Sequence, residues 1–256
     1  MEHPQDIRNA TSEDFATDVA VMVHAARIHP EIDARRVGVI GHSEGGLIGP
    51  MVAVRDRDLA FVAMLAGPGV PGFELLPLQQ KLLLQSTNID PELIDEVVNA
   101  SMTLYELMAR DASEEELHAQ IIELIEVSFL AQGMVIPQDN RDDIFETAIE
   151  EMTQPWLQFF LFYDPAPVLA RVKCPVLAMN GTLDLQVPSK QNLPAIESAI
   201  RNAGGTVTIV ELEGLNHLFQ FATTGAIGEY AQIETTIDPI ALEVLGEWLL
   251  EVTDDD

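Results

Sequence analysis

Apolar and polar residues along this chain follow two patterns that separate strands from helices. Short apolar runs rich in β-branched residues, each bounded by turn-forming residues, predict buried strands. These strands lie at residues 37–40, 59–66, 174–181 and 206–212. Apolar residues at helical spacing predict helices at residues 11–29, 44–55, 192–202 and 239–252. Because strands alternate with helices, the sequence predicts an α/β fold with a parallel sheet and right-handed crossovers.

The middle of the chain departs from this alternation. A stretch rich in glycine and proline at residues 67–72 ends the second strand, and the pattern of residues 73–165 predicts helices and no strand. We therefore predict an α/β core of residues 1–72 and 166–256 and a helical insertion at 73–165. Such an insertion is typical of a lid over a site. Most of its aromatic and methionine side chains are predicted to form its own core, with a few lining an acyl pocket.

The composition is that of a folded chain. Its 256 residues are 47% hydrophobic, which provides a sizeable core and excludes a disordered chain. No apolar run approaches the roughly 20 residues that a membrane span needs. The polar N-terminus has no signal-peptide pattern, so we expect a cytoplasmic location. Cys174 is the only cysteine, which excludes an internal disulfide, and we predict that it is a small buried hydrophobic residue.

The charge is strongly negative. Asp and Glu number 42 against 13 Lys and Arg, which gives a formal net charge of −29. Such a surface repels nucleic acids and anionic membranes, so we expect neither as a partner. It also repels itself at low salt, and salt screens that repulsion. We therefore hypothesise a protein from a salt-rich setting; the alternative is an ordinary acidic bacterial protein.

A serine lies at the turn between the first predicted strand and the next helix. Residues 41–45, Gly-His-Ser-Glu-Gly, form the pattern G-x-S-x-G in its expected context of strand, sharp turn and helix. The turn holds the Ser43 hydroxyl clear of the sheet and crowds Gly41 and Gly45, so that both positions favour the absence of a Cβ. It also directs the Glu44 backbone N–H at a developing oxyanion. The Glu44 carboxylate either faces solvent or biases the charge of the substrate.

Two further polar residues follow the ends of later strands. Asp184 comes just after the third predicted strand and His217 just after the fourth. Functional groups gather at the carboxyl ends of strands in open parallel sheets, so we expect both residues to meet Ser43. A serine hydroxyl is a weak nucleophile, so an imidazole must take its proton and a carboxylate must orient that imidazole. We predict Ser43 as nucleophile, His217 as base and acid, and Asp184 as the orienting carboxylate.

Other assignments stay open at this point. Asp164 is an alternative acid, in which case Asp184 is an ordinary turn residue, and His217 has an alternative as a surface histidine. His42 adjoins Ser43 and is predicted to point away from its hydroxyl. No metal-ligand spacing and no dinucleotide-binding glycine motif is present, so we expect no metal and no cofactor.

The segments at residues 41–46, 180–188 and 214–220 resemble the α/β-hydrolase superfamily. More closely, they are similar to bacterial esterases related to dienelactone hydrolases and to prolyl-oligopeptidase-type serine peptidases. The likeness extends over nearly the whole chain. It implies an acyl-enzyme mechanism in which Ser43 attacks a carbonyl, His217 transfers the proton and water releases the acid.

The front of the chain departs from the family pattern. Family members normally have several strands before the nucleophile strand, and a loop after one of them donates the second oxyanion N–H. Here the residues before 37 predict a single helix. We therefore expect a truncated α/β-hydrolase core whose second oxyanion donor is unidentified and whose nucleophile strand is an exposed, apolar sheet edge. A second copy is predicted to cover that edge in a homodimer.

These features predict a serine carboxylesterase that acts on small, short-chain esters. The helical insertion favours uncharged acyl groups, and the acidic surface disfavours anionic substrates. A serine peptidase or an acyltransferase with the same three residues is the alternative among enzymes. A non-catalytic truncated hydrolase that serves as an interaction module is the alternative outside them.

The charge makes a testable prediction about stability. The melting temperature is expected to rise between dilute buffer and molar salt, because salt screens the repulsion among the excess carboxylates. A thermal unfolding series across this range of salt measures the effect. An unchanged melting temperature would count against a salt-rich origin.

Overall fold

The chain folds as two units, which a computed structural model describes over residues 9–254. We refer to residues 72–163 as the helical unit, and to residues 12–71 together with 164–254 as the core unit. Within the described range, no helix combines the length and the apolar character that crossing a bilayer requires.

The elements match the predicted order of strands and helices. The strands are β1 Val39–His42, β2 Val62–Leu65, β3 Val176–Gly181 and β4 Val207–Leu212. The helices of the core unit are α1 Ser12–Arg27, α2 Glu44–Arg55, α8 Ala166–Leu169, α9 Ser189–Asn202 and α10 Pro239–Thr253. The helices of the helical unit are α3 Gly72–Gln85, α4 Pro91–Ala109, α5 Glu114–Ala131, α6 Arg141–Met152 and α7 Pro155–Phe162.

The strands form one parallel sheet in the order β1-β2-β3-β4. Each connection between neighbouring strands contains at least one helix, which returns the chain to the same end of the sheet. All carboxyl ends therefore lie together. Ser43 follows β1, Asp184 follows β3 and His217 follows β4 at this end. The prediction of an α/β fold with a parallel sheet is confirmed.

Both faces of the sheet are covered by helices. Helix α10 packs through Trp248 against the face that carries Ala63 and Leu177. Helix α2 lies close against the opposite face, because a Cβ at Gly49 would come within 2.9 Å of the Val62 side chain. Strand β3 is buried along its whole length. Burial on both faces explains why the strands are continuous apolar runs rather than alternating ones.

The first strand begins and ends two residues later than the predicted range 37–40. The Val39 N–H donates to the Phe61 carbonyl and the Ser43 N–H donates to the Leu65 carbonyl, so pairing continues through Gly41. The prediction is wrong at both ends because backbone pairing with the neighbouring strand decides where the strand ends. Apolar character alone also overestimates the length of the second strand, which is predicted at 59–66 and observed as β2, Val62–Leu65.

The helical unit has its own core, and polar side chains cap the starts of two of its helices. The Asp90 carboxylate accepts the Glu92 N–H at the start of α4. Ser113 and Glu116 form a capping box at the start of α5. Buried side chains from α4, α5, α6 and α7 form one apolar cluster. The role of this unit as a lid stays a prediction.

The strand that precedes Ser43 lies at an open edge of the sheet. Among the described residues β1 pairs with β2 alone. Val39 and Ser43 direct their N–H groups at β2, so the alternate residues Ile40 and His42 direct their backbone groups away from it. The Ile40 side chain is 48% exposed. The described residues thus bear out the predicted exposed, apolar sheet edge.

We propose that a second copy of the chain pairs with β1 across this edge. Two copies related by a twofold axis present the same edge in opposite directions, so their backbone donors and acceptors are complementary. Antiparallel pairing also brings Arg35 and Arg36, which precede β1, towards Glu44 of the other copy, which follows β1. The two arginine side chains are 71% and 46% exposed. Opposite charges therefore approach each other in a chain whose net charge otherwise opposes association.

Light scattering at micromolar protein in molar salt is expected to give the mass of a dimer. Ile40→Lys should give a monomer, because the substitution places a charge in the centre of the contact. Leu130→Lys is the matched control, since Leu130 is 59% exposed on α5 in the helical unit, and it should stay dimeric. A monomeric unsubstituted chain would rule out the proposed pairing.

Candidate functional site

Ser43 occupies a strained turn between β1 and α2. Its φ of 55° and ψ of −120° lie outside the regions that L-residues normally adopt. Its N–H donates to the Leu65 carbonyl and its carbonyl accepts the Gly46 N–H, each at 2.8 Å, and these bonds hold the conformation. The Ser43 hydroxyl does not cap α2. This strand-turn-helix geometry is that of a nucleophile elbow.

Only one of the two glycines that flank Ser43 is crowded as predicted. A Cβ at Gly41 would lie 1.9 Å from the Gly45 carbonyl oxygen, so this position requires glycine. A Cβ at Gly45 would meet nothing within 4 Å, whereas one at Gly46 would lie 2.6 Å from the Gly67 Cα. The prediction that Gly45 is crowded is therefore wrong. The close contact falls one residue later, where α2 passes the chain that follows β2.

Asp184 and His217 form a buried, hydrogen-bonded pair. His217 Nδ1 lies 3.0 Å from Asp184 Oδ2 and 3.1 Å from Oδ1. Their side chains are 5% exposed for His217 and 0% exposed for Asp184. A carboxylate accepts hydrogen bonds, so Nδ1 carries a proton, and the neutral ring is the tautomer that keeps its lone pair on Nε2. This is the tautomer that a general base requires.

The Asp184 carboxylate is held by three further donors. The backbone N–H groups of Gln186 and Val187 donate to Oδ1 at 2.9 and 2.8 Å. The Asn180 side-chain amide donates to Oδ2 at 3.2 Å. Burial of a carboxylate without such partners is unfavourable, so these bonds make the buried position tenable. They also fix the direction in which the carboxylate faces His217.

The loop that carries His217 rests directly on the end of β3. A Cβ at Gly181 would lie 2.0 Å from the Leu215 carbonyl oxygen, so only glycine permits this approach. Asn216 is fully buried, and its side-chain oxygen accepts the N–H groups of Leu218 and Gln220. The loop therefore turns tightly around His217. This brings residues that follow different strands within hydrogen-bonding distance.

His42 brings the Ser43 turn into contact with His217. His42 Nε2 lies 2.8 Å from the His217 carbonyl oxygen, and the two rings are 4.7 Å apart. Ser43 directly follows His42, so the nucleophile turn adjoins the Asp184–His217 pair. Within residues 9–254 no hydrogen bond joins the Ser43 hydroxyl to His217. Such bonds are often long before substrate binds, and the catalytic roles of the three residues stay predictions.

The alternative acid, Asp164, lacks the burial of Asp184. Asp164 is exposed, and its carboxylate accepts the Ala166 N–H at the start of α8. Cys174, which the sequence predicts as a buried hydrophobic residue, is only half-buried, and this burial raises the pKa of its thiol to about 11. The thiol is therefore protonated at neutral pH and is a poor nucleophile.

Glu44 lies in the first turn of α2, immediately after Ser43. Backbone N–H groups in this turn lack acceptors within the helix, which suits the predicted oxyanion role of the Glu44 N–H. Its carboxylate accepts a 2.6 Å hydrogen bond from the buried Ser12 hydroxyl. The carboxylate is half-buried and takes part in this internal hydrogen bond, and its effect on the charge of the substrate stays a prediction. The hydrogen bond between Ser12 and Glu44 connects the start of α1 to the start of α2.

Each unit contains a cavity. One cavity of the core unit measures about 470 Å³ and is lined by His42, Leu65, residues 218–220 and residues 233–237. It therefore reaches the chain neighbours of both Ser43 and His217. The cavity of the helical unit measures about 360 Å³. Its lining is mainly apolar and consists of Phe73, Met102, Tyr105, Glu106, Ala109 and Phe162.

Three residues of the site were not assigned a role from the sequence. Asn180 and Asn216 support Asp184 and His217, and His42 contacts His217. A polar residue at the end of an apolar strand is a signal for Asn180, since buried polar groups require partners. The contact of His42 has no local signal, because its partner is 175 positions away in the sequence.

The sequence matches the model of the family described as the alpha/beta hydrolase family over residues 4–227. A search of curated proteins finds no significant match. Among solved structures, DcsB in complex with its substrate analogue is 17% identical, with a TM-score of 0.51. That match covers 97% of this chain and 75% of DcsB.

Two further solved structures are more distant in shape. A thermophilic esterase from Thermogutta terrifontis is 18% identical, with a TM-score of 0.46, over 96% of this chain and 74% of that one. Acetyl xylan esterase 1 from Thermoanaerobacterium is 16% identical, with a TM-score of 0.43. It is matched over 93% of this chain, which spans only 52% of that esterase. At these identities the likeness is one of fold.

The two glycines of the Ser43 turn provide a matched pair of variants. Gly41→Ala is expected to destabilise the chain by about 1–3 kcal/mol, because the new methyl group collides with backbone that cannot move aside. Gly45→Ala should be neutral or stabilise by up to about 1 kcal/mol, because alanine favours the helix and meets open space. Urea unfolding measures both. Equal losses in the two variants would contradict the described geometry of the turn.

Proposed function

Because this chain belongs to the alpha/beta hydrolase family, we propose that it is a serine carboxylesterase that hydrolyses small, short-chain esters. The observation that carries the proposal is the buried Asp184–His217 pair beside a serine in a strained turn. The proposed reaction passes through an acyl-enzyme intermediate and needs no further group for proton transfer.

In the acylation step, the Ser43 oxygen attacks the ester carbonyl carbon while His217 Nε2 accepts the hydroxyl proton. The Asp184 carboxylate keeps the ring in position and stabilises its positive charge. The Glu44 N–H donates to the oxyanion of the tetrahedral intermediate. Collapse of that intermediate breaks the bond to the alcohol oxygen, which takes the proton from His217. The products of this step are the free alcohol and an acylated Ser43.

In the deacylation step, the same groups act on water. His217 Nε2 removes a proton from a water molecule, which attacks the carbonyl carbon of the acylated Ser43. The second tetrahedral intermediate collapses when its bond to the Ser43 oxygen breaks. His217 returns the proton to that oxygen and the carboxylic acid leaves.

Charge and cavity size support a small, uncharged substrate. A net charge of −29 disfavours the approach of anionic esters, especially at low salt. The core-unit cavity of about 470 Å³ adjoins the site through His42 and Leu218 and lies at the low end of sizes for small-molecule sites. Its lining combines apolar side chains such as Leu65 and Leu218 with polar ones such as Gln220 and Glu234. Short aliphatic groups suit the apolar part, and the Glu234 carboxylate disfavours an anionic substrate.

Hydrolysis of p-nitrophenyl esters from acetate to laurate, at low and high salt, tests the proposal. Activity is expected to be highest on the short esters. Ser43→Ala should lower kcat by roughly 10⁶-fold, because the nucleophile is removed. Ser86→Ala is the matched control, since its exposed hydroxyl only bonds the Leu83 carbonyl.

Three outcomes would contradict the esterase proposal. Hydrolysis that survives in Ser43→Ala would place the reaction elsewhere. Faster cleavage of peptide p-nitroanilides than of esters would favour a peptidase. A folded but inactive chain would favour an interaction module.

A further inference from the structure

His42 makes contacts with His217 that the proposed reaction does not explain. Its Nε2 lies 2.8 Å from the His217 carbonyl oxygen, which can only accept a hydrogen bond. Nε2 must therefore carry a proton and donate it, and neutral His42 is the Nε2–H tautomer. The His42 ring also lies 4.7 Å from the His217 ring and 6.2 Å from the Phe219 ring. These ring contacts restrict its rotation.

The order of the strands separates the loop that carries Ser43 from the loop that carries His217. Ser43 follows β1 and His217 follows β4, and these are the two outer strands of the described sheet. Three strand spacings separate them, which is about 14 Å. The loop that carries His217 must therefore reach back across the ends of β3 and β2 to meet Ser43.

That loop is attached firmly on the β3 side. Its Gly214 N–H donates to the Thr182 hydroxyl at 2.8 Å, and the Leu215 carbonyl accepts the Leu183 N–H at 3.0 Å. The Asp184 carboxylate holds the imidazole itself. All of these partners follow β3. The hydrogen bond from His42 instead attaches the loop on the β1 side, next to the nucleophile.

We propose that His42 is a positioning residue that holds His217 within reach of the Ser43 hydroxyl. Its Nε2–H anchors the His217 backbone, while Asp184 anchors the His217 ring. His217 is then held both from the β1 side, by His42, and from the β3 side, by Asp184. The distance over which the proton passes from Ser43 to His217 is thereby kept short. This inference rests on the proposed function, because holding His217 matters for the reaction only if Ser43 is the nucleophile.

The charge state of His42 suits this role. Burial lowers the pKa of His42, and the neighbouring His217 lowers it further, although the hydrogen bond to the His217 carbonyl and the Asp184 charge act in the opposite direction. Glu234 is a further titratable residue of the cavity that His42 lines. A neutral His42 can donate its hydrogen bond without repelling the imidazolium that His217 becomes during the reaction. Protonation of His42 in acid would place a second positive charge beside that imidazolium.

Two substitutions separate the hydrogen bond from simple packing. His42→Leu removes the donor and keeps an apolar side chain, whereas His42→Gln keeps an amide N–H near the position of Nε2. We expect kcat on a short p-nitrophenyl ester to fall roughly 10- to 100-fold in His42→Leu, since a displacement of about 1 Å has effects of this size. KM should change much less than kcat, because leucine keeps an apolar wall to the cavity that His42 lines, and His42→Gln should recover most of kcat. His24→Leu on the exposed face of α1 is the control and should be unchanged.

Nitrogen and proton NMR of the histidine rings tests the same idea without any substrate. His42 is expected to be the Nε2–H tautomer at neutral pH. The His217 Nδ1 proton, protected by its bond to buried Asp184, should give a low-field signal. That signal should broaden in His42→Leu and persist in His42→Gln, because only the first variant loses the anchor. Thermal melting of each variant identifies any that has not folded.

The outcomes distinguish this proposal from the proposed function. An Nδ1–H tautomer for His42, or an unchanged kcat and an unchanged His217 signal in folded His42→Leu, would overturn the positioning role. Equal losses of kcat in the Leu and Gln variants, with the His217 signal intact in both, would overturn it as well. An unsubstituted chain that hydrolyses no ester refutes the esterase, and the NMR result then decides by itself whether His42 holds His217.

Discussion

The contact between Gly181 and the Leu215 carbonyl is the constraint on which the candidate site depends. A side chain at Gly181 would be 2.0 Å from that oxygen, so only glycine lets the loop after β4 lie on the end of β3. This contact brings the residues after the two strands together. Asp184 can then hold His217 by a hydrogen bond in a region from which water is excluded. The buried carboxylate in turn requires the backbone donors of its own turn, so the geometry of one loop supports the other.

The site also concentrates backbone strain. Among the described residues, four non-glycine residues have positive φ values, and three of them, Ser43, Ala66 and Phe219, follow the carboxyl ends of strands. Each such conformation costs on the order of 1–3 kcal/mol, so the surrounding structure must stabilise it. The Ala66 N–H donates to the Met179 carbonyl of β3, which extends strand pairing into the strained region. The rigid sheet thereby maintains a serine conformation that a flexible loop would relax.

Charge and the open sheet edge act in opposite directions on association. The excess of carboxylates opposes contact between copies, whereas the unpaired backbone of β1 and the exposed Ile40 favour it. Salt screens charges beyond roughly 3 Å at 1 M and leaves backbone pairing in place. The hypothesis of a salt-rich setting and the proposed dimer are therefore connected, because the same salt that lowers self-repulsion permits pairing at β1. The site lies at the end of that strand, so association and catalysis are expected to respond to salt together.

The sequence by itself determined the fold class, the order of strands and helices, and the candidate residues Ser43, Asp184 and His217. These follow from apolar periodicity, from turn residues and from the positions of polar residues after strands, all of which are local properties of the chain. Only the tertiary structure decided where β1 ends, that Gly45 is not crowded, and that His42 contacts His217. These three features depend on how closely different segments of the chain approach each other in the folded structure. Steric fit and hydrogen bonding across such contacts arise only once the sheet has assembled, so no local pattern encodes them.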